Sequence, residues 1–453
     1  MNTKQHTYEH PKRASVHTLG CRLNQSESAL IAEKLTAAGY ELVPFGEASD
    51  LGIINTCTVT GEADSKSRQL VRSFIRKNPH AYTAVIGCYS QMGHKTLSEI
   101  EGVDLIVGNQ EKLNVLDYVA AGKNEHALVV RDHIERDDFT IDTVGEGPLT
   151  RRANLKVQDG CDFMCSFCII PFARGRARSR ELNNLVEEAR QLVSRGAKEI
   201  ILTGVNVGTY EHEGQSLVDV VQRLNEVDGL ERIRISSIEP TTIPEALLEC
   251  MNDPGNALVP YLHIPLQSGS NHVLQLMKRK YSREEFISFI EHAHATVDDL
   301  CIGTDLLVGS PGETDDDFAE TLDVLANSPL CYAHVFKYSE RKGTPASRYE
   351  GKVDPATASL RSAQARRLSA KKRRDFHQDH LGRAMDVLFE SEEDGCWHGY
   401  TGNYIRVAVR SSDRLENEVR PVTLERICGD FVFGTLLHDA MSVPSERVEH
   451  HTP

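Results

Sequence analysis

Three cysteines, Cys161, Cys165 and Cys168, lie close together near the middle of the chain. Cysteine thiolates are the ligands of iron–sulfur clusters, and this spacing lets one loop bring all three to the same cluster. A four-iron cluster with three protein ligands leaves one iron open to bind a substrate or cosubstrate. The alternatives are a core loop that happens to be rich in cysteine and a structural zinc site. Structural zinc sites use four ligands, and no second cysteine pair or nearby histidine completes this one. These three cysteines are therefore the predicted metal ligands and catalytic centre.

A second set of cysteines, Cys21, Cys57 and Cys88, is spread through the amino-terminal part of the chain. Each follows a short apolar segment that alternates with helical patterns, as in an open parallel sheet. Because the carboxyl ends of parallel strands share one edge of the sheet, the three thiols can meet there. The alternative is that they are buried structural cysteines, which is the common role of a free cysteine.

The first cysteine loop with its flanks resembles the radical S-adenosylmethionine (SAM) enzymes, and among them the methylthiotransferases. The segments that carry the resemblance are 155–175, 19–27 and 55–59, and the likeness extends from about residue 15 to about residue 440. It implies two [4Fe-4S] clusters. The cluster on the loop cysteines would bind SAM through its open iron, and the cluster on the second set would carry or donate sulfur.

The elements that must position these residues predict an α/β protein. Residues 15–122 are predicted to form an open parallel α/β sheet, preceded by a polar tail at 1–14 and followed by a charged linker at 123–149. Residues 150–380 alternate strands and helices, which predicts a partial (β/α)6 barrel ending in a basic helix, because a closed eight-stranded barrel usually takes about 250 residues. The resemblance implies that this barrel is the radical SAM domain. The cysteine loop follows the first barrel strand, at the face where barrel active sites are built.

Residues 381–443 show the period-two pattern of five short strands, which predicts a small antiparallel β-barrel, with a tail at 444–453. The segment 399–407 resembles the TRAM domain that ends many methylthiotransferases. Trp397, Tyr400 and Tyr404 either stack on bases or fill this barrel.

Polar and glycine-containing loops follow several of the barrel strands. Each alone fits an ordinary loop, but together they are expected to line an opening of the barrel that suits the adenosine and methionine parts of SAM. The resemblance implies that the loop after the second strand, 203–206, lies near the SAM amino group. The predicted cofactor-binding residues are Gly204, Asn206, Glu239, Gln267 and Gly309.

Two basic segments are candidates for contact with RNA. Four arginines at alternate positions follow the cysteine loop, and an extended segment would direct all four to one side. The alternatives are a solvated edge, or arginines that bind SAM or interdomain carboxylates. A helix predicted at 356–381 is also basic, with a solvated linker helix as its alternative. The candidates are Arg174, Arg176, Arg178, Arg180, Lys371, Lys372, Arg373 and Arg374.

Composition limits the class of protein. The formal net charge of −15 excludes a whole-surface attraction to nucleic acid, so any RNA contact must be local. The polar start of the chain carries no apolar run, which predicts a cytoplasmic protein without a membrane segment. Eleven cysteines, an odd number in a long chain, fit reduced thiols better than disulfides. The cysteines without ligand spacing, expected in the core, are Cys250, Cys301, Cys331, Cys396 and Cys428.

The resemblance implies a transferase that acts on the tRNA anticodon loop with SAM and an electron donor such as a flavodoxin or ferredoxin. A base-paired adenosine is inaccessible to such chemistry, so a loop nucleotide is the expected target. Segments 173–180 and 236–240 are most like the bacterial branch that methylthiolates C2 of N6-threonylcarbamoyladenosine at tRNA position 37. The alternatives are N6-isopentenyladenosine 37, a ribosomal-protein aspartate, a different radical SAM enzyme, or a non-catalytic iron–sulfur redox sensor that binds RNA.

Overall fold

The computed structural model describes residues 12–120, 122–142 and 152–437. The predicted tail at 444–453, most of the predicted tail at 1–14, residues 143–149 of the predicted linker and residues 438–443 of the predicted terminal barrel lie outside the described residues. The predicted domain boundaries stay predictions. Across the described ranges, no helix combines the length and apolarity that crossing a membrane requires.

A parallel sheet with helices on both faces forms the amino-terminal part, as predicted. Within the described residues its six strands lie in the order β2-β1-β3-β4-β5-β6. The strands are β1 (Arg13–Thr18), β2 (Glu41–Leu42), β3 (Leu51–Thr56), β4 (Tyr82–Gly87), β5 (Leu105–Val107) and β6 (Leu128–Val130), and the helices are α1 (Arg22–Ala37), α2 (Gly61–Lys77), α3 (Cys88–Ser98) and α4 (Val115–Val119). Neighbouring residues Ile53 and Ile54 belong to different apolar clusters, because successive side chains of a strand point to opposite faces. Both faces are therefore covered, which explains why β3 and β4 are buried at every position.

The central part is the predicted partial barrel of six parallel strands. Two three-stranded sheets, β13-β10-β7 and β14-β15-β16, enclose one apolar core, and an isolated parallel bridge joins Ile233 to Leu258 ahead of β14. The barrel strands are β7 (Arg152–Lys156), β10 (Glu199–Thr203), β13 (Arg232–Ile235), β14 (Tyr261–His263), β15 (Cys301–Val308) and β16 (Leu330–Lys337). Two short antiparallel pairs are β8 (Gln158–Asp159) with β9 (Arg178–Ser179), and β11 (Glu211–His212) with β12 (Gln215–Ser216).

Helices connect the barrel strands, and local sequence signals start several of them. Ser282 caps its helix and exchanges hydrogen bonds with Glu285, and Thr314 does the same with Asp317, so each pair forms a capping box. The helices are α5 (Ile170–Arg174), α6 (Leu182–Ser194), α7 (Leu217–Asn225), α8 (Glu245–Asn252), α9 (Asn271–Leu276), α10 (Arg283–Thr296) and α11 (Asp315–Asn327). The basic helix α12 (Pro355–Asp379) follows β16, where a helix was predicted at 356–381.

The chain divides into two compact units between Arg373 and Arg374, inside α12. The second unit contains a closed barrel in the order β17-β18-β19-β21-β20. Its strands are β17 (Ala384–Glu393), β18 (Cys396–Thr401), β19 (Arg406–Val409), β20 (Val419–Cys428) and β21 (Phe431–Leu436). Within the described residues the five predicted strands are present, and four of the five pairings of the barrel are antiparallel as predicted, whereas β19 and β21 run parallel where the barrel closes.

The aromatic residues of this small barrel divide between its two predicted roles. Trp397 is buried in the barrel core. Tyr400 and Tyr404 are half-buried and stack on each other, with ring centroids 4.9 Å apart and planes 21° apart. Trp397 therefore fills the barrel, and the stacked tyrosines stay candidates for contact with bases.

Candidate active site

The first cysteine loop lies between β8 and α5, just beyond the first barrel strand. Gly160 precedes it with a φ of 70°, and a Cβ at this position would lie 1.8 Å from the carbonyl oxygen of Arg176. Only glycine fits both the dihedral angle and the close approach of the two chain segments. Cys165 is buried, and Cys161 and Cys168 are partly exposed, so one tight loop presents three thiols at the carboxyl-terminal end of the barrel strands.

The thiols of this loop have the chemistry of cluster ligands. Burial raises the pKa of Cys161 to about 11 and that of Cys168 to about 12, and the neighbouring loop thiols contribute to both increases. These two thiols are therefore protonated in the chain alone, and metal coordination is what deprotonates such a group. In the part of the chain that the structure describes, no three His, Cys, Asp or Glu residues converge on a single metal ion. A four-iron cluster binds each thiolate at a different iron, so this donor set fits a cluster.

The side-chain amide of Gln158 forms hydrogen bonds with both the cysteine loop and the loop after β10. Its Nε2 donates to the carbonyl oxygens of Asp159 and Gly160 at 2.9 and 2.8 Å. Its Oε1 accepts from the backbone N–H groups of Val205 and Asn206 at 2.9 and 3.1 Å. One fully buried amide therefore satisfies four backbone groups. The sequence analysis missed this residue, although a polar side chain at the end of a buried strand was a usable signal.

Arg279 is a second functional residue that the sequence analysis missed. Its Nη1 donates to Sγ of Cys165 at 3.3 Å, and its Nη2 pairs with the carboxylate of Glu239. The hydroxyl of Tyr281 accepts from Arg279 Nη2 at 2.7 Å and donates to the carbonyl oxygen of Pro265 at 2.6 Å. The guanidinium is 2% exposed, so it is a buried cation in contact with a predicted cluster ligand. Cys165 and Glu239 come from distant parts of the chain, and no local pattern indicates them.

Three of the predicted SAM contacts lie together beside Gln158 and Arg279. A Cβ on Gly204 would lie 2.8 Å from Gln158 Oε1. Asn206 Oδ1 accepts from the N–H of Glu239 at 3.3 Å, and Asn206 Nδ2 is buried with no hydrogen-bond partner among the described residues. Burial raises the pKa of Glu239, while its ion pair with Arg279 opposes the increase. Direct contact of these residues with SAM stays a prediction.

The other two predicted SAM contacts have structural roles of their own. Gln267 has a φ of 68° and pairs through its backbone with Asp305 and Leu307 at β15. Gly309 follows β15 with a φ of 78°, and a Cβ there would lie 2.7 Å from the Cβ of Ala358 in α12. The packing of α12 thus explains the glycine at 309 without a ligand, and its contact with SAM also stays a prediction.

The second set of cysteines lies at the ends of three neighbouring strands. Cys21 follows β1 and caps α1, Cys57 follows β3, and Cys88 begins α3 directly after β4. Burial raises the pKa of Cys57 to about 11, and the nearby Cys88 and Cys21 thiols contribute to the increase. Asn24 Nδ2 ties the two loops together by donating to the carbonyl oxygens of Leu19 and Thr56 at 2.7 and 3.0 Å. Three thiols at one sheet edge fit a second cluster as a donor set.

A buried ion network lies between the amino-terminal sheet and the barrel. Glu27 of α1 is fully buried and accepts from Lys112, from Lys156 at 2.9 Å and from both terminal nitrogens of Arg174 at 3.1 Å. Asp159, next to the cysteine loop, accepts from Lys156 at 2.6 Å and from Arg174 at 3.0 Å. Burial alone would raise the pKa of Glu27, but the charges of Arg174, Lys112 and Lys156 outweigh it and hold this pKa well below its ordinary value.

The prediction that four alternate arginines face RNA is wrong for Arg174 and Arg180. The segment is not uniformly extended, because Arg174 ends α5 and only Arg178 and Ser179 form a strand. Arg174 is 1% exposed and binds Glu27 and Asp159, and Arg180 is fully buried and pairs with Glu188. For Arg174 the alternative of an interdomain carboxylate partner is therefore the one that the structure supports.

The remaining two arginines differ from each other. The side chain of Arg178 is 9% exposed, and its guanidinium lies 5.4 Å from the ring centroid of Phe139. Arg176 is 41% exposed and pairs with the exposed carboxylate of Asp162 at 3.3 Å. Of these four, Arg176 is the one that remains available for a backbone phosphate.

The four basic residues of α12 also differ in exposure. Lys371 and Arg374 are exposed. Lys372 donates to the carbonyl oxygen of Ser328 at 2.8 Å, and the guanidinium of Arg373 lies 5.0 Å from the ring centroid of Tyr332. Lys371 and Arg374 are thus the freer candidates for RNA contact, and all four assignments stay predictions.

Two family models match the regions that hold the two cysteine sets. Residues 155–325 match the Radical SAM superfamily, and residues 13–108 match the Uncharacterized protein family UPF0004. Among solved structures, the radical S-adenosylmethionine methyltransferase TsrM of Kitasatospora setae has a TM-score of 0.56 and 16% identity, and the match covers 74% of this chain and 77% of that one. At this identity the likeness is one of fold.

Curated relatives match nearly the whole chain. The threonylcarbamoyladenosine tRNA methylthiotransferase MtaB of Bacillus subtilis (strain 168) is 36% identical, over 90% of this chain and 92% of its own. The tRNA-2-methylthio-N(6)-dimethylallyladenosine synthase of Roseobacter denitrificans (strain ATCC 33942 / OCh 114) is 35% identical, over 84% of this chain and 88% of its own. Identity at this level over this length, together with the radical SAM match, means that the chain belongs to the radical SAM methylthiotransferases that act on tRNA.

Proposed function

We propose that this protein adds a methylthio group to C2 of N6-threonylcarbamoyladenosine at position 37 of tRNA. The main support is that four relatives with the threonylcarbamoyladenosine name align at 34 to 36% identity, the first over 90% of this chain. The likeness of segments 173–180 and 236–240 to that branch points the same way. The second candidate substrate is the N6-dimethylallyl nucleoside, which relatives of nearly equal identity favour.

The cofactors of this family are two [4Fe-4S] clusters and SAM. We assign one cluster to Cys161, Cys165 and Cys168, and the other to Cys21, Cys57 and Cys88. When bound, the first cluster supplies the electron that cleaves SAM and the second supplies or carries the sulfur. The chemistry of both donor sets supports these assignments, because each consists of three thiols held on one loop or one sheet edge.

The residues around the first set orient the loop and the cosubstrate. Arg279 places a fixed positive charge against Cys165, where thiolate charge must be stabilised. Gln158 couples the position of the cysteine loop to that of Val205 and Asn206 through its hydrogen bonds to both loops. The buried Nδ2 of Asn206 is a donor for a carboxylate or hydroxyl of SAM, since its other amide atom already pairs with the backbone of Glu239.

The surfaces that we assign to tRNA are local and basic. Arg176 lies beside the first cysteine loop, and Lys371 and Arg374 are exposed on α12. Guanidinium and ammonium groups bind phosphates without sequence preference, so they would position the anticodon loop, while the substituted adenosine is recognised at the cysteine loops. A tRNA substrate accords with the expectation of a cytoplasmic enzyme that receives electrons from a flavodoxin or ferredoxin.

An anaerobic assay tests the proposal. The reduced, reconstituted enzyme is given SAM and one of two otherwise identical tRNAs, which carry N6-threonylcarbamoyl or N6-dimethylallyl adenosine at position 37. We expect 5′-deoxyadenosine and a methylthiolated nucleoside only with the first tRNA. A methylthiolated product with the second tRNA alone would reassign the substrate to the N6-dimethylallyl nucleoside. SAM cleavage without modification of either tRNA would contradict the proposed function. Iron analysis gives the cluster assignment its own test, with about eight irons per chain expected, and about four after either cysteine set is replaced by alanine.

A further inference from the structure

The buried ion network between the sheet and the barrel carries more positive than negative charge. Four cations, Lys112, Lys156, Arg174 and Arg178, face two carboxylates, Glu27 and Asp159. Every one of these side chains is at most 9% exposed. A buried charge without a partner is costly, so an excess of two positive charges calls for an anion close by.

The excess charge lies next to the second set of cysteines. Lys112 Nζ donates to Asn109 Oδ1 at 2.8 Å, and Asn109 Nδ2 lies 3.5 Å from Sγ of Cys88 and donates to it. Arg174 Nη2 donates at 2.6 Å to Asn24 Oδ1, and Asn24 Nδ2 in turn holds the backbone just before Cys21 and just before Cys57.

The charge of a bound cluster matches this environment. Three thiolates bring three negative charges and an oxidised [4Fe-4S] core brings two positive ones, so the assembly keeps about one negative charge. One-electron reduction by an external donor adds a second negative charge at the same site. Nearby positive charge stabilises the reduced form more than the oxidised form, and this raises the reduction potential.

We propose that the network of Lys112, Lys156, Arg174 and Arg178 with Glu27 and Asp159 is the counter-charge of the cluster on Cys21, Cys57 and Cys88 and sets its reduction potential. The inference rests on the proposed function, because it requires that these cysteines bind the second cluster. Lys112 and Arg174 are positioning residues in it, and they act on the cluster through Asn109, Asn24 and their own charge. The first cysteine set has a separate cation, Arg279, and so depends less on the network.

The test measures a potential in a full-length chain that holds only the second cluster. Cys161, Cys165 and Cys168 are replaced by alanine, the protein is reconstituted, and an EPR-monitored redox titration gives the midpoint. In this background Lys112→Met removes one positive charge while Glu27 keeps Lys156 and Arg174, so we expect a shift to more negative potential. Glu27→Gln removes one negative charge, and we expect a shift in the opposite direction. Thermal unfolding verifies that each variant is folded. If only one variant folds, the direction of its midpoint shift still tests the proposal.

Arg195→Met is the matched control. Arg195 of the barrel pairs at 2.8 Å with Glu33, which lies on α1 like Glu27, but this ion pair does not contact Asn24 or Asn109. The Arg195→Met substitution weakens the same interface and should leave the midpoint potential unchanged. Unchanged midpoints in folded Lys112→Met and Glu27→Gln variants would overturn the inference and leave the proposed function intact. A background that binds no iron would instead overturn the ligand assignment, and with it the inference.

Discussion

The guanidinium of Arg279 donates to Sγ of Cys165 at 3.3 Å while it forms an ion pair with Glu239. Cys165 lies on the cysteine loop and Glu239 lies after β13, so one buried cation joins the predicted cluster site to a predicted SAM contact. Tyr281 fixes the same guanidinium through its hydroxyl. The contact is polar, buried and made by residues far apart in the chain, which makes it sensitive to single substitutions.

Replacing Arg279 by Met should destabilise the protein strongly. The carboxylate of Glu239 would lose its partner in a buried site, and breaking such a pair costs about 3–5 kcal/mol. Urea unfolding of the cluster-free protein measures the change in the free energy of unfolding. Arg283→Met is the control, because its partner Asp323 is 52% exposed and the loss of that pair should cost less than about 1 kcal/mol. Similar losses in the two variants would contradict the role given to Arg279.

Replacing Gln158 by Leu should loosen both loops that it joins. Four backbone groups would lose their hydrogen-bond partner, and leaving buried polar groups unpaired costs about 1–3 kcal/mol each when nothing relaxes. We expect a stability loss of at least about 2 kcal/mol and weaker SAM binding, measured by calorimetry on the reconstituted enzyme. Gln222→Leu, at an exposed position of α7, should change neither quantity. SAM affinity equal to that of the parent protein would show that the two loops are independent.

The contribution of Glu27 to stability should depend on pH. Its folded-state pKa lies below the ordinary value of 4.5, so its stabilising effect is complete above that pH and is lost as the pH falls below it. Glu27→Gln should therefore cost about 3–5 kcal/mol at pH 7 and less at about pH 4. Denaturant unfolding at both pH values measures the difference.

Glu33 on the same helix is the control for that experiment. Burial raises its pKa, and its ion pair with Arg195 only partly opposes the increase. A raised carboxyl pKa makes the folded state bind its proton more tightly, so the parent protein should gain stability relative to Glu33→Gln as the pH falls. Curves for Glu27→Gln and Glu33→Gln with the same pH trend would argue against the charge balance described for the network.

Arg176 and Arg174 should differ in their effects on tRNA binding and on stability. Arg176→Ala removes an exposed charge, which should weaken tRNA binding by about 1 kcal/mol and reduce the salt slope of log Kd by about 1. Unfolding should hardly change in this variant. Arg174→Ala should instead reduce stability, because both carboxylates of the network lose a partner. Filter binding across a salt series separates these effects, and an unchanged slope in Arg176→Ala would exclude the phosphate contact.

The sequence predicts elements with a strong local pattern better than it predicts contacts. Helix α6 begins at Leu182 and ends at Ser194, where its apolar periodicity begins and ends, and the strand-end positions of Cys21, Cys57 and Cys88 follow from parallel topology. The prediction for the arginine segment is wrong at Arg174 and Arg180 because the alternating arginines were interpreted as an extended strand. Buried carboxylates from other elements decide where these two side chains lie.

The residues that the sequence does not identify have partners at long range. Arg279 finds Cys165 and Glu239 across 114 and 40 residues, and Lys112 finds Glu27 across 85. A polar residue gives no local sign of which buried charge it will meet, since folding decides that. The two cysteine sets could be identified from the sequence because the same ligand type recurs, closely spaced in one set and after predicted strands in the other. The ion network has no such pattern, so the sequence did not predict it.

Nucleoside analysis of tRNA tests the central claim most directly. Total tRNA from the source organism, with and without the gene, is digested and separated by liquid chromatography with mass detection. Without the gene, we expect 2-methylthio-N6-threonylcarbamoyladenosine to be lost and N6-threonylcarbamoyladenosine to accumulate in its place. A gene that carries Cys57→Ala should fail to restore the methylthiolated nucleoside. An unchanged level of that nucleoside, or loss of the dimethylallyl counterpart in its place, would contradict the account.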